Sequence, residues 1–438
     1  MNIADIIHHK LERKQWTKKE IDFLVNGLLD WSVSEAEAGA VIMAVSFFGL
    51  SAEETVNLTS AIAKSGDKIN WKSSKLNGPL LDKISSGGIG DKITLILAPL
   101  VAACGGYVPI ISARGLGFSG NTIDKLESIP NYDGEPSVAE FQSITKDVGC
   151  AIASEAPHFA PANRSLYTIR EAIGASDCIS LLVASMLSRK LAAGSKALVA
   201  DIKVGSGTVI SDIETGRLMA NTLLNTAKSL GMSVTAVISD SHQVIGKSAG
   251  NAVEVEEAIE FLIGKHQDLR LMELVLSLGT EMLLAGKLIT SYEEGKRRLR
   301  AALDSGEAAE KFSRMVMRLS GVGNILEKYH TILPKAPIIR PVFPDKEGYI
   351  SSLDGKKIAS CLVVMNAARI SLDEIIDYRS GLSSCRSLGD FVDLDTPLAY
   401  IHAKDEASFA EVSEIIKEAF TISEIAPEKA PVIYETLT

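Results

Sequence analysis

The 438-residue chain is short of the features that mark several protein classes. Its five cysteines, Cys104, Cys150, Cys178, Cys361 and Cys385, form no CxxC pair, and so odd and scattered a set excludes a disulfide framework and argues against a structural zinc site. A reducing, cytoplasmic setting is expected instead. No long run of lysines and arginines occurs, and 45 basic against 55 acidic residues leave a formal charge of -10, so the electrostatic footprint of a nucleic-acid binder is missing. Anionic small ligands must therefore be held by local charges. The segment MNIADIIHHKLERKQW alternates apolar and charged residues at helical spacing and lacks an uninterrupted apolar core, so no export signal is expected. There is no internal repeat or low-complexity tract. The long uncharged span from Ile93 to Ala113 is broken by Pro99, Gly105, Gly106 and Pro109. It reads as a buried helix, a Cys-Gly-Gly turn and a buried strand at Tyr107–Ile111, not as a membrane helix.

What is present is the composition of an ordinary enzyme, 46% hydrophobic and 23% charged, in a chain long enough for about three domain-sized units. The first 65 residues carry paired capping signals, Thr17 with Glu20, Ser32 with Glu35 and Ser51 with Glu54. Ile21, Leu24, Val25, Leu28 and Leu29 then recur at helical spacing, and Gly49 and Gly66 are expected to stop the later helices. From Leu80 onward short β-branched runs alternate with helical stretches, with strands expected at Tyr107–Ile111, Ala197–Ile202 and Val234–Ser239. Helical character returns between Pro161 and Leu191. Pro334, Pro337, Pro341 and Pro344 mark a boundary, after which Gly348–Ala403 looks rich in short strands and Ser408–Phe420 helical. The expected fold is α/β with a small all-α domain (1–66 with 161–195), facing a large mixed α/β-sheet domain (78–155 with 196–335) across a cleft. A strand-rich C-terminal portion (345–438) packs with the large domain.

Three glycine-rich stretches stand near expected strand ends. Lys83-Ile84-Ser85-Ser86-Gly87-Gly88-Ile89-Gly90-Asp91 leads into a helix near Lys92. Its amides, hydroxyls and lysine suit a phosphate, although a plain turn explains the glycines equally and the P-loop spacing is absent. Gly115-Leu116-Gly117-Phe118-Ser119-Gly120 matches the dinucleotide fingerprint. That fingerprint needs a second strand ending near an acidic residue about twenty positions on, where Pro130, Asp133, Gly134 and Pro136 leave no room, so an NAD-dependent dehydrogenase is a distant alternative. Lys203-Val204-Gly205-Ser206-Gly207 either lines the same crevice or is only a turn.

The pattern S-x-R-G-L-x-x-[ST]-G-x-T-x-D-x-L-E is met by Ser112, Arg114, Gly115, Leu116, Ser119, Gly120, Thr122, Asp124, Leu126 and Glu127. With the Lys83–Asp91 loop, Asp201–Gly207, Ser248–Val255 and Ile401–Glu406, the chain resembles the thymidine/pyrimidine-nucleoside phosphorylase family over nearly its whole length. The resemblance implies splitting of a nucleoside by inorganic phosphate into free base and an α-pentose 1-phosphate, with no metal and no cofactor, phosphate being the co-substrate. It implies phosphate contacts from Lys83, Ser85, Ser86, Thr94, Ser112 and Thr122. Ile84, Leu116, Tyr167, Arg170, Leu182, Ser185, Arg189 and Val209 fall at the base, and Lys83, Arg170 and Arg189 are the catalytic candidates. A homodimer through the helical domains is implied, and the Ile3, Ile6, Ile7, Leu11 stripe suits it or simple core packing. Hinges fall near Asn70–Pro79, Ala156–Pro161 and Ala192–Lys196, and neither membrane nor nucleic acid is a partner.

The chain also departs from the family pattern. Thr94 replaces Ser and keeps the hydroxyl. Arg189 replaces Lys, Ile84 replaces His, Val209 stands where an aromatic residue often packs, and Asn121 and Ala113 replace glycines. Two outcomes stay open: an active phosphorylase with altered base or sugar preference, or a weakly catalytic nucleoside- and phosphate-binding homologue. Outside the family context Arg170 and Arg189 read as surface charges and Tyr167 as half-buried. His8 and His9 read as solvated and His158 and His242 as structural, while Asp91, Asp124 and Glu127 anchor loop and helix starts. Near Gly90 and Glu254 the positive charge is either a monovalent cation or Lys92.

Overall fold

The computed structural model describes residues 1–113, 121–155, 159–369 and 374–438. Helices α1 (Ile3–Leu11), α2 (Lys18–Leu29), α3 (Glu35–Phe48) and α4 (Ala52–Lys64) open the chain. Thr17 with Glu20 and Ser51 with Glu54 form capping boxes as expected. The third box is displaced by two residues: Ser34 pairs with Glu37, because the Asp30 carboxylate takes the Ser32 amide at 3.0 Å and spends that residue on a turn. Gly49, at φ 71°, ends α3. Gly66 does not end α4; Ser65 does, with its hydroxyl donating to the Ile62 carbonyl at 2.7 Å.

The chain then enters the large sheet through β1 (Leu81–Ser85), followed by α5 (Ile93–Ala103) and β2 (Val108–Ser112). α5 is buried almost throughout and only 11 residues long. Its apolar content is a core helix, and among the described residues no helix is long and apolar enough to cross a membrane. After α6 (Thr122–Glu127) and α7 (Val138–Val148), β3 (Cys150–Ser154) pairs in parallel with β2. A second strand thus does follow the Gly115–Gly120 stretch, contrary to the sequence reading. It comes later than a dinucleotide unit requires because a proline-flanked turn and α7 intervene.

Helices α8 (Pro161–Ala172) and α9 (Ile179–Ala192) carry the chain back to the bundle, where α9 packs on α4 and α8 on α2 and α3. β4 (Ala197–Val204), α10 (Ile213–Ser229) and β5 (Ser233–Asp240) extend the sheet in the order β1-β4-β5, all parallel. Next come the short β6 (Ala249–Gly250) and α11 (Ala252–Leu262), α12 (Leu269–Ala285), α13 (Tyr292–Asp304), α14 (Glu307–Ser320) and α15 (Ile325–Ile332). Of these, α11, α12 and α14 enclose α5.

The C-terminal portion has a second core. Strands β7 (Ile338–Val342) and β8 (Gly348–Leu353) precede an unforeseen helix, α16 (Gly355–Val364), in the stretch expected to be rich in short strands. Asp354 caps it by taking the amides of Lys356 and Lys357, and Ile358, Cys361 and Leu362 are buried beneath. Then follow β9 (Gly381–Ser383), β10 (Phe391–Val392), β11 (Ala399–Ala403), α17 (Glu406–Ala419), β12 (Phe420–Ser423) and β13 (Ile433–Leu437). Two small sheets result, β6-β9-β11-β7 and β10-β8-β12. β13 leaves them and pairs antiparallel with β5, completing the large sheet. The fold is α/β, with a small helical bundle, a large sheet domain and a strand-rich C-terminal portion.

Candidate active site

A cavity of about 230 Å³ opens where the α8–α9 hairpin faces the carboxyl end of β1, the edge at which open α/β sheets hold ligands. Strand alternation sends Lys83 and Ser85 to one face of β1 and Ile84 to the other, where it joins Leu182 and Met186 in an apolar cluster. Beyond β1 the loop turns through Gly87 and Gly90, at φ 88° and 76°. Gly90 cannot be replaced without conflict, since a Cβ there would sit 2.7 Å from the Ser248 carbonyl. Ser85 Oγ donates to Asp91 at 2.6 Å and receives the Gly87 amide at 3.1 Å, so the loop is braced around the position where α5 begins. A helix amino terminus and hydroxyls beside it favour an anion there.

The charges agree. Lys83 Nζ, on a side chain only 1% exposed, lies 3.5 Å from Thr94 Oγ1, 3.8 Å from Asp201 and 3.9 Å from Asp91. These distances exceed those of a strong charged hydrogen bond, so the ammonium is held by attraction and keeps its donors for a ligand oxygen. Burial pulls its pKa down, while Asp91 and Asp201 pull it back up. Burial also works against the Asp91 carboxylate, but Lys203, Lys83 and Lys125 outweigh it and hold Asp91 well below the usual range. Lys203 pairs with Asp201 at 2.6 Å, and Lys125 donates to the Asp91 carbonyl at 2.8 Å.

The opposite wall comes from the helical hairpin. Spacings of three and four place Tyr167 and Arg170 on one face of α8, and Leu182, Ser185 and Arg189 on one face of α9. Arg170 and Arg189 are buried, at 3% and 7% exposure, which overturns their reading as surface charges. Arg170 lies 4.8 Å from the centre of the Tyr167 ring and reaches Glu171 at 3.0 Å; burial pushes the Tyr167 hydroxyl up to about 12. Arg170 Nε, Ser185 Oγ and Arg189 Nε and Nη1 are shielded from solvent and have no partner among the described residues. Buried donors left this way cost free energy that an acceptor entering the cavity can return. Glu155, at the end of β3, is also buried; burial raises its pKa against the pull of Arg189 and of Asn163, which donates to it at 2.9 Å.

The sequence-derived residues Lys83, Ile84, Ser85, Ser86, Thr94, Ser112, Thr122, Tyr167, Arg170, Leu182, Ser185, Arg189 and Val209 all line this cavity. Leu116, with Arg114–Gly120, and His158 lie outside the described residues. Sequence reasoning missed Lys125, Glu171, Ser176, Met186 and Lys190 in the lining. Lys190 carries no local signal: its partner Asp82, buried on β1, lies 108 positions away, and Lys190 Nζ meets it at 2.7 Å while Ser195 Oγ donates to it at 2.5 Å. Burial raises the Asp82 pKa, with Lys190 and Ser195 opposing. The Gly205–Gly207 stretch stays out of the cavity and acts as a brace, with Ser206 Oγ donating to the Leu353 carbonyl at 2.9 Å and the Ile89 amide to the Gly207 carbonyl at 3.2 Å. Asp124 receives the Asn121 amide at 3.3 Å and pairs with Arg369, and Tyr378 OH donates to Glu127 at 3.3 Å, so both carboxylates anchor structure.

Residues 77–309 match the glycosyl transferase family α/β domain, residues 4–66 the helical bundle domain of that family, and residues 349–423 the pyrimidine nucleoside phosphorylase C-terminal domain. The chain belongs to the thymidine/pyrimidine-nucleoside phosphorylase family. It is therefore an enzyme of the pentosyltransferase type. Among solved structures it is similar to anthranilate phosphoribosyltransferase from Thermus thermophilus, with a TM-score of 0.58 at 19% identity over 72% of this chain and 98% of that one. Identity that low speaks for the shared fold alone.

Proposed function

We propose that the protein is a pyrimidine-nucleoside phosphorylase, cleaving a nucleoside reversibly with inorganic phosphate. The observation that carries this is the pairing, across one cavity, of the underused Lys83 ammonium with the unpartnered donors of Arg170, Ser185 and Arg189. Phosphate rests on Lys83, Ser85, Ser86, Thr94, Ser112 and Thr122 beside the anomeric carbon. The glycosidic C–N bond breaks with its electron pair leaving on the base, positive charge grows on the sugar, and a phosphate oxygen closes on that carbon from the opposite face to give the α-pentose 1-phosphate. Arg170 and Arg189 donate to the carbonyl oxygens of the departing base and take up its negative charge, and Lys83 holds the nucleophile in line. No bound metal or organic cofactor enters this scheme.

On the base side Ile84, Leu182 and Val209 make an apolar wall without the polar ring or the aromatic face of the family pattern, and Arg189 brings a planar fork in place of an ammonium. This favours a modified pyrimidine nucleoside carrying a bulkier apolar group over thymidine and uridine. The decisive experiment incubates a nucleoside panel with phosphate and measures pentose 1-phosphate. Release from at least one pyrimidine nucleoside, dependent on phosphate, is expected; nucleoside binding with no turnover across the panel refutes the reading in favour of a non-catalytic homologue. We further propose a cytoplasmic homodimer through the helical bundle, where Leu11, Trp31, Phe47 and Phe48 remain exposed. Sedimentation at micromolar concentration checks it.

A further inference from the structure

Lys92, directly after Asp91, takes no part in the cavity lining. Its side chain is fully buried and runs behind the phosphate loop to end among three oxygens: the Ile245 carbonyl at 2.5 Å, the Ser248 carbonyl at 3.0 Å and Glu257 Oε2 at 2.9 Å. An ammonium has three donors, so the protein satisfies this charge completely. Glu254, where the sequence placed the charge, is taken instead by Lys125 at 2.7 Å. The cradle is shaped around its occupant. Gly246 has a φ of +74°, and a Cβ there would lie 2.3 Å from Glu257 Oε1 and 3.1 Å from Lys92 Nζ. Glu257 also receives the Lys247 amide at 2.8 Å and the Ser248 hydroxyl, which fixes the carboxylate. The same turn supports the phosphate loop: the Ile245 amide donates to the Ile89 carbonyl at 3.0 Å, and Gly90 is pressed against the Ile245 and Ser248 carbonyls.

Two main-chain carbonyls and a carboxylate, preorganised around one positive charge, form the kind of oxygen set that strips water from a dissolved cation. Here the cation arrives on a side chain. We propose that Lys92 is a tethered monovalent cation: it fills an oxygen-lined site between the phosphate loop and the 245–248 turn and makes the order of that loop independent of dissolved potassium or ammonium. With the ammonium removed and its space left open, the same oxygens bind potassium or ammonium from solution. Lys92 is then a positioning residue for phosphate.

The test compares the full-length native protein with Lys92→Ala, which opens the space, and Lys92→Met, which fills it without charge. Each is held in tetramethylammonium buffer and titrated with potassium, ammonium or lithium chloride. Thermal midpoint and calorimetric affinity for inorganic phosphate are read. The native protein should respond alike in every salt. Lys92→Ala should lose at least tenfold in phosphate affinity in tetramethylammonium and recover it saturably, with its midpoint, on adding potassium or ammonium but not lithium; Lys92→Met should lose affinity and recover nothing. A native protein that needs potassium, a Lys92→Ala protein with native affinity in tetramethylammonium, or one that stays folded and is restored by no cation overturns the proposal. If Lys92→Ala unfolds in tetramethylammonium, refolding on potassium supports the tether, and failure of both it and Lys92→Thr to refold there overturns it. Neither readout involves nucleoside, so its failure is distinct from failure of the phosphorylase reading; if the native protein binds no phosphate, the thermal response alone decides.

Discussion

Replacing Arg189 with Met should make the protein more stable and a far poorer catalyst. Arg189 is buried at 7% exposure, and its Nε and Nη1 hydrogens meet neither solvent nor an acceptor among the described residues. Each unsatisfied buried donor costs about 1–3 kcal/mol, so two cost roughly 2–6 kcal/mol, an upper bound because Glu155 lowers the cost of the charge. Methionine keeps most of the apolar stem and has no donor to strand. A net gain of about 1–3 kcal/mol is expected, read as a rise of roughly 1–3 °C in the calorimetric midpoint of the ligand-free 438-residue protein. The reaction loses what the resting protein gives up: a donor aimed at developing negative charge is worth about 10²–10³ in rate, so kcat/KM for the best nucleoside should fall by that factor. Nucleoside should also raise the midpoint of the native protein more than that of the variant. A variant whose midpoint falls by more than about 2 °C shows that the guanidinium is satisfied at rest. One that keeps full kcat/KM shows that it does not face the departing base.

Other expectations follow from the same geometry. Lys83→Ala should weaken phosphate use by roughly one to three orders of magnitude, about 1.4 kcal/mol per decade, measured as kcat/KM for phosphate; an unchanged value removes Lys83 from the phosphate site. Lys190→Met strands the buried Asp82 carboxylate and should cost about 3–5 kcal/mol in chemical unfolding, with much of the loss recovered in the Asp82→Asn, Lys190→Met double variant. His402 is held neutral, its pKa lowered to about 4 by burial and by Lys335, with Ser383 Oγ 2.8 Å from its Nε2. Its folded pKa lies below the unfolded value near 6.5, so the unfolded chain binds the extra proton between those values. Stability should therefore be full above pH 6.5 and decline by up to about 3 kcal/mol as pH falls to 4. His402→Gln should flatten that decline, and an unchanged slope removes His402 as its source. Burial raises the thiol of Cys104 to about 11 and those of Cys150, Cys361 and Cys385 to about 12, so a thiol reagent should label native protein at Cys178 alone and the other four only after unfolding.

The parts legible in the sequence are those written in local periodicity or in contiguous motifs. The stripe of α2, the runs of β4 and β5 and the Lys83–Asp91 loop depend on neighbours in sequence, and each lies where expected. The capping box at Ser34 is harder to place because two serines two residues apart compete for the role, and only the turn made by Asp30 decides between them. The signal of α16 is overshadowed by the short strands around it. The cavity wall is harder still. Arg170 sits on a polar helix whose composition suits a surface, and Arg189 at the basic end of an apolar one; that α8 and α9 return to the bundle and face β1 is a tertiary fact. The same holds for Lys190 and Asp82, 108 positions apart and joined only by the fold.

The position of β13 bears on how this protein is made. The sheet that presents Lys83 and Ser85 has β5 as an outer strand until residues 433–437 arrive to cover it, with Tyr434 OH donating to Asp240 at 2.9 Å. A ribosome delivers those residues long after β5. During synthesis, β5, buried over most of its length, must wait with one row of backbone groups open while nearly two hundred residues follow it. An uncovered edge of that kind pairs with any extended chain within reach. Removing or fraying residues 433–437 should thus appear first as aggregated, low-yield protein, before any change in the chemistry of the molecules that do fold.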